Sequence, residues 1–222
     1  GSVLQSKEVI LEAQPITEVE VDVGKAAAVL PNYKDYSFIK IIFDDASAAY
    51  FKTHFNKISD PLSKGLVLRA LYDGVRDATF RATDFINLCC TIIEHEKSVQ
   101  LLDLMYGYIG AAIGIVREQN VLPYYHRLYR LTRSKLLTFT EPATIRSMIQ
   151  KLFTYARDPE DVEDLRTWLE GTNPELGKYE LAVSDKWGIV YKMYGVGKYT
   201  PEQLQAVYDR QYAADTTDTK RT

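Results

Sequence analysis

Apolar residues along this chain recur in two different rhythms. In the first forty-odd residues Val19, Val21 and Val23 alternate with Glu18, Glu20 and Asp22, a period of two that predicts a half-buried strand. Residues 8–11 and 36–43 predict further strands, set apart by Pro15, Gly24 and Pro31-Asn32. Such strands are too few for a two-layer sandwich of their own, so residues 7–43 are expected to form a short β segment that leans on other structure.

From Asp44 onward the spacing changes to three and four. Leu68, Leu71, Tyr72 and Val75 share one helical face, as do Val99, Leu102, Tyr106, Ile109, Ile113 and Val116. Ile145, Ile149, Leu152 and Ala156 repeat the design, followed by Val162, Leu165 and Leu169, then Leu204, Tyr208 and Tyr212. Asp60-Pro61, Asp158-Pro159 and Thr200-Pro201 each place a capping side chain before a proline at the first helical position. The pattern predicts about eight amphipathic helices between residues 45 and 214.

Short connections favour antiparallel neighbours, which pairs 47–57 with 61–76, 83–96 with 98–119, and 122–137 with 142–156. The predicted fold class is therefore mainly α: an irregular, HEAT-like helical solenoid of antiparallel helix pairs, preceded by the short β segment. Gly107, Gly110 and Gly114 line one side of the longest expected helix and allow a close helix crossing there.

The composition of the 222 residues, 46% hydrophobic and 26% charged, is that of an ordinary globular protein and excludes a disordered tail or a fibrous chain. With 27 Lys and Arg against 30 Asp and Glu the chain lacks the basic excess of a dedicated nucleic-acid binder, so no nucleic-acid partner is expected. The longest apolar run, Leu104–Val116, falls short of the ~18 residues of a membrane span and reads as a buried helix. Cys89 and Cys90, adjacent on a helix, cannot build a disulfide framework and are expected to be reduced, buried thiols. That weakly favours a cytoplasmic location. The Gly1-Ser2 start reads as the remnant of a tag, with residues 1–6 as tag and linker.

A search for chemistry yields little. His95-Glu96-Lys97-Ser98-Val99 follows the zinc-peptidase pattern H-E-x-x-H until its fifth position, where Val replaces the second imidazole that metal binding needs. No phosphate-binding glycine loop occurs, Gly195-Val196-Gly197-Lys198 reads as a helix end, and no G-x-S-x-G elbow is present. Asp161 and Asp164 read as acids complementing a helix dipole. No catalytic, cofactor-binding or metal-ligating residue is therefore expected. The remaining feature is a charge contrast. Residues 123–137 hold Arg127, Arg130, Arg133 and Lys135 without an acid, interleaved with Tyr124, Tyr125 and Tyr129, whereas residues 158–180 carry eight acids against Arg166 and Lys178. Such a cationic and aromatic face can grip a peptide carboxylate; equally, its arginines can pair with the acidic neighbour.

One string carries a resemblance. Leu30-Pro31-Asn32-Tyr33-Lys34-Asp35-Tyr36-Ser37-Phe38-Ile39-Lys40, then Asp45, then Asp60-Pro61-Leu62, then Arg69-Ala70-Leu71-Tyr72-Asp73-Gly74-Val75-Arg76-Asp77, resembles the C-terminal part of the aminopeptidase N family of zinc metallopeptidases, which includes the puromycin-sensitive and endoplasmic-reticulum aminopeptidases. The family's run is close to L-P-N-x-x-D-x-x-Y-x-K, D-P-L and R-A-L-W-D-x-x-R-D. Asp185-Lys186-Trp187 and Asp215-Thr216-Thr217-Asp218 are similar to later family features. Phe38, Tyr72 and Lys186 stand where the family usually has Tyr, Trp and Arg.

The resemblance implies a parent enzyme of four parts: an N-terminal β domain, a thermolysin-like catalytic domain, a small β-sandwich and a C-terminal helical arch. Residues 7–43 would be the end of the sandwich and residues 44–222 the first part of the arch, cut at both ends. Zinc, the general base and the substrate loop G-x-M-E-N would belong to the parent's catalytic domain, with no cofactor in this chain. The fragment would be non-catalytic, closing the chamber and meeting the distal part of peptide substrates, with Arg127, Arg130 and Arg133 as peptide contacts. The alternative is a helical-repeat interaction scaffold from an aminopeptidase-like protein that has lost the metal site. Severed strands would expose unpaired edges, so a dimer of the fragment is a further expectation.

Overall fold

The computed structural model describes residues 3–217; Gly1, Ser2 and Asp218, which figure in the reading above, lie outside them. The chain divides into two compact units that meet in sequence between Ile115 and Val116. Among the described residues all regular structure is helical, and no helix is long and apolar enough to cross a membrane.

The strands expected at 8–11, 19–23 and 36–43 are not formed among the described residues. A strand needs a neighbour to take its backbone hydrogen bonds. Here those bonds are local, such as Gln14 N–H to the Glu12 carbonyl and Ala26 N–H to Val23, and Val19, Val21 and Val23 remain exposed. Period-two alternation records which side chains share a face; it cannot supply the neighbouring strand.

Residues 30–43 are nonetheless held. Asn32, in the left-handed region at φ 53°, donates from Nδ2 to the Ser37 carbonyl at 2.7 Å and accepts from Ser37 N–H at 3.1 Å, closing the loop. Ile41 is buried against Leu66 and Ala70, with Leu30 and Phe43 packed beside it. Lys40 Nζ donates to Asp77 at 2.6 Å. The two motif strings, 30–40 and 69–77, are thus bonded to each other.

The first unit contains α1 (Asp45–His54), α2 (Pro61–Arg76), α3 (Ala82–His95) and α4 (Val99–Ile113). α3 and α4 form the expected antiparallel pair, and α2 packs on both. Their interface buries Leu68 and Leu71 of α2, Phe85, Ile86 and Cys89 of α3, and Leu102, Met105 and Ile109 of α4. The expected pairing of α1 with α2 is not a principal packing: α1 buries just Ser47 and Phe51, too narrow a stripe to hold a partner helix. Nor do the α4 glycines mark a close crossing. A Cβ on Gly107 or Gly110 meets no atom within 4 Å, because both lie on the helix's exposed side.

The second unit contains α5 (Leu122–Leu136), α6 (Pro142–Tyr155), α7 (Pro159–Leu169), α8 (Val183–Gly195) and α9 (Pro201–Ala214). α5 pairs with α6 as expected, α7 with α8, and α8 with α9, while α5 also meets α7. α8 was visible in sequence through its end alone; its Trp187 indole donates to the buried Asp215 carboxylate at 2.8 Å and ties α8 to the end of α9. All three proline-marked starts are capped as predicted. Asp60 accepts from Ser63 N–H and Asp158 from Glu160 N–H, each at 2.9 Å. Thr200 and Gln203 cap each other's backbone N–H groups reciprocally.

Truncating Leu102, fully buried in α4, should cost about 2–5 kcal/mol as Leu102→Ala, whereas Asp60→Ala should cost about 1 kcal/mol through its lost cap. Urea unfolding followed by circular dichroism measures both. Equal midpoint shifts would contradict this division between core and cap.

Candidate functional site

Arg127, Arg130 and Arg133, singled out from the sequence, lie on α5 and are spaced by three. Each step of three turns the side chain back by about 60° around the helix, so the arginines spiral rather than share a face. Arg127 and Arg130 are exposed. Arg133 has turned toward α7 and is largely buried.

There its Nε–H donates to Asp164 Oδ2 at 2.7 Å and its Nη1–H to Glu175 Oε2 at 2.5 Å. Asp164 also accepts from the buried Tyr129 hydroxyl at 2.7 Å and from Asn173 Nδ2 at 2.9 Å. Burial alone would push the Asp164 carboxyl up; the Arg133 and Tyr129 hydrogen bonds outweigh it and hold the group below the usual carboxylate range. Burial and the adjacent Asp164 charge together drive the Tyr129 phenol far up, so it remains a donor. Asn173 Oδ1 then accepts from Leu176 N–H at 2.9 Å, which fixes the chain after α7.

One turn away lies a second pair of different character. Asp161, 1% exposed, has Oδ1 3.0 Å from His126 Nδ1. The contact is electrostatic rather than a directed hydrogen bond, since neither Asp161 oxygen receives a well-aligned donor among the described residues. Burial pushes the Asp161 carboxyl up to about 6; His126 opposes the rise, the Asp158 carboxylate adds to it, and Arg130 opposes it. Arg130 itself lies 3.9 Å from Glu160, with both side chains well exposed, an arrangement of small energetic weight.

The α5–α7 contact is thus a neutralised interior beneath a cationic exterior. Arg133 is consumed by the fold, and Arg127 and Arg130 face outward. Asn173 and the pairing of Asp164 are not legible in the local pattern, which gives Asp161 and Asp164 as acids complementing a helix dipole. The available signal was spacing: acids three apart on α7 facing His126, Tyr129 and Arg133 of α5.

The His95-Glu96 fragment has a structural task. His95 ends α3, and Glu96, 7% exposed, accepts from Lys64 Nζ at 2.6 Å and from the N–H groups of Lys97 and Ser98 at the entrance to α4. Cys89 and Cys90 are both buried and form no disulfide, and burial followed by the neighbouring Cys90 pushes the Cys89 thiol far up. Among the described residues no group of three or more His, Cys, Asp or Glu is placed to hold a metal ion.

The chain is similar to the Aminopeptidase N of Streptomyces lividans. The two are 26% identical over 216 residues, a match that takes in 90% of this chain and 24% of the Streptomyces protein. The chain therefore spans about a quarter of that relative's length. No protein-family model matches it.

Two outcomes test this site. Between about pH 4 and pH 6 the folded chain keeps the Asp161 proton that the unfolded chain has lost, so this group favours folding at the acid end and its contribution is lost as pH rises through about 6. Thermal midpoints of the wild type and Asp161→Asn, measured at pH 4.5 and pH 7, should show the variant gaining on the wild type as pH rises; a pH-independent difference would contradict the assignment. Arg133→Gln should cost roughly 2 kcal/mol by leaving Asp164 short of its main donor. Arg130→Gln should change stability by less than about 0.5 kcal/mol, and chemical denaturation compares the two.

Proposed function

We propose that this chain is a non-catalytic helical part of a larger zinc-dependent aminopeptidase. Its antiparallel helix pairs would continue as a solenoid-like arch closing the active-site chamber, and the exposed Arg127 and Arg130 of α5 would contact the distal part of a peptide substrate. The observation that carries the reading is the similarity to an Aminopeptidase N along 90% of the chain but 24% of that protein. The bonded motif strings support it, because Lys40–Asp77 and the packing of Ile41 on Ala70 give a physical reason for these residues to occur together.

In this reading zinc belongs to other parts of the parent, and no step of peptide hydrolysis is assigned to this chain. What its own residues do is bind and position. An exposed guanidinium forms charge-assisted hydrogen bonds to a carboxylate, and Arg133, held by Asp164 and Glu175, keeps α5 seated on α7 while its outward neighbours engage the ligand.

In the full-length protein, Arg127→Glu with Arg130→Glu should raise KM for a long peptide bearing a C-terminal carboxylate by roughly ten-fold, with kcat for leucine 4-nitroanilide unchanged. An unaltered KM overturns the assignment of the two arginines. The 222-residue chain by itself should not hydrolyse leucine 4-nitroanilide, and turnover by it would overturn the non-catalytic reading.

A further inference from the structure

Within the first unit, α2 and α4 border an open groove of about 610 Å³. Its walls are largely apolar, built from Leu62 and Leu66 of α2 and Leu101, Leu104 and Tyr108 of α4. Tyr108 is braced by a stacked contact with Tyr72, ring centroids 4.4 Å apart. Volume and lining are those of a small-molecule site, where an apolar trough meets a few placed polar groups.

The polar group that stands out is Arg69. It lines this groove and also a smaller recess beside Phe38 and Asp73. Its guanidinium sits 5.5 Å from the centroid of the Phe38 ring, and the side chain is half-buried. Among the described residues no acceptor takes a hydrogen bond from it and no carboxylate pairs with it. Arg133, Arg146 and Arg166, in the second unit, are each engaged by at least one carboxylate. Arg69 therefore keeps a planar fork of donors, partly withdrawn from water, at the side of an apolar trough.

We propose that this groove binds a small amphipathic monocarboxylate, its carboxylate paired with Arg69 and its apolar body lying along Leu62, Leu66, Leu104 and Tyr108. Asp35 and Arg69 are the charged residues lining the groove, and in the adjoining recess Lys40 and Arg76 balance Asp73 and Asp77, so Arg69 matches a single carboxylate while a phosphate dianion would leave a charge unmet beside Asp35. This inference stands apart from the peptide-contact reading of α5 and uses none of its residues.

The test is an NMR titration of the whole chain with 4-phenylbutyrate and with the neutral 4-phenylbutyramide. Backbone shifts should centre on Arg69, Leu104 and Tyr108, and the acid should bind at least ~10-fold tighter than the amide, the gain expected of charge-assisted hydrogen bonds. Arg69→Gln should abolish that preference, Arg69→Lys should retain part of it because the charge survives without the bidentate fork, and Leu104→Gln should weaken both ligands. Arg210→Gln, at an exposed position of α9, should alter nothing. Absence of binding, equal affinities for acid and amide, or a preference that survives Arg69→Gln in a folded variant would overturn the proposal. Inorganic phosphate displacing 4-phenylbutyrate at equal concentration would overturn the monocarboxylate preference, and a peptide ending in Phe that outcompetes 4-phenylbutyrate would overturn the small-molecule assignment.

Discussion

Helices of ten to sixteen residues, the range from α1 to α2, have little stability of their own in water. Each persists here because one apolar stripe is removed from solvent by a neighbour, and that requirement governs the rest of the structure. Where the stripe is wide, as on α3 with Phe85, Ile86, Cys89 and Ile93, the helix sits firmly in a core. Where it is narrow, as on α1, the expected pairing is not a principal packing. Capping side chains then mark where α1, α2, α4, α6, α7 and α9 begin, and in doing so they set the connections that precede them.

The same requirement explains the treatment of charge. Packing α5 on α7 brings Asp164 and Asp161 into an interior that disfavours ions, and the two carboxylates meet different ends. Asp164 receives donors from Tyr129, Arg133 and Asn173 and stays ionised. Asp161 has just the edge of His126 and is pushed toward its protonated form. Two acids one turn apart on one helix therefore differ in chemistry solely through what faces them. Arg69 poses the converse case, a guanidinium drawn beside an apolar trough without a paired carboxylate among the described residues.

The resemblance strings acquire a mechanical meaning in the fold. Asn32 closes a loop, Phe38 lies against Arg69, and Lys40 reaches Asp77. Residues scattered over nearly fifty positions thereby form one junction between an extended segment and α2. The buried Trp187–Asp215 hydrogen bond plays a corresponding part at the end of the second unit.

Much of this was legible in the chain of residues itself. Helix positions followed from three-four spacing, and their starts from Asp60-Pro61, Asp158-Pro159 and Thr200-Pro201, because periodicity and capping are local and act within a few residues. The charge contrast between 123–137 and 158–180 was legible too, as was the option that the one neutralises the other. The partner of each group was not. That Arg133 is spent on Asp164 while Arg130 faces water, that Glu96 pairs with Lys64 beside the turn into α4, and that Val19, Val21 and Val23 find no sheet among the described residues depend on which surfaces meet across tens of residues. Sequence by itself determined the elements and their apolar faces; tertiary structure alone decided which charges are buried, since burial and pairing are properties of contacts that no local pattern encodes.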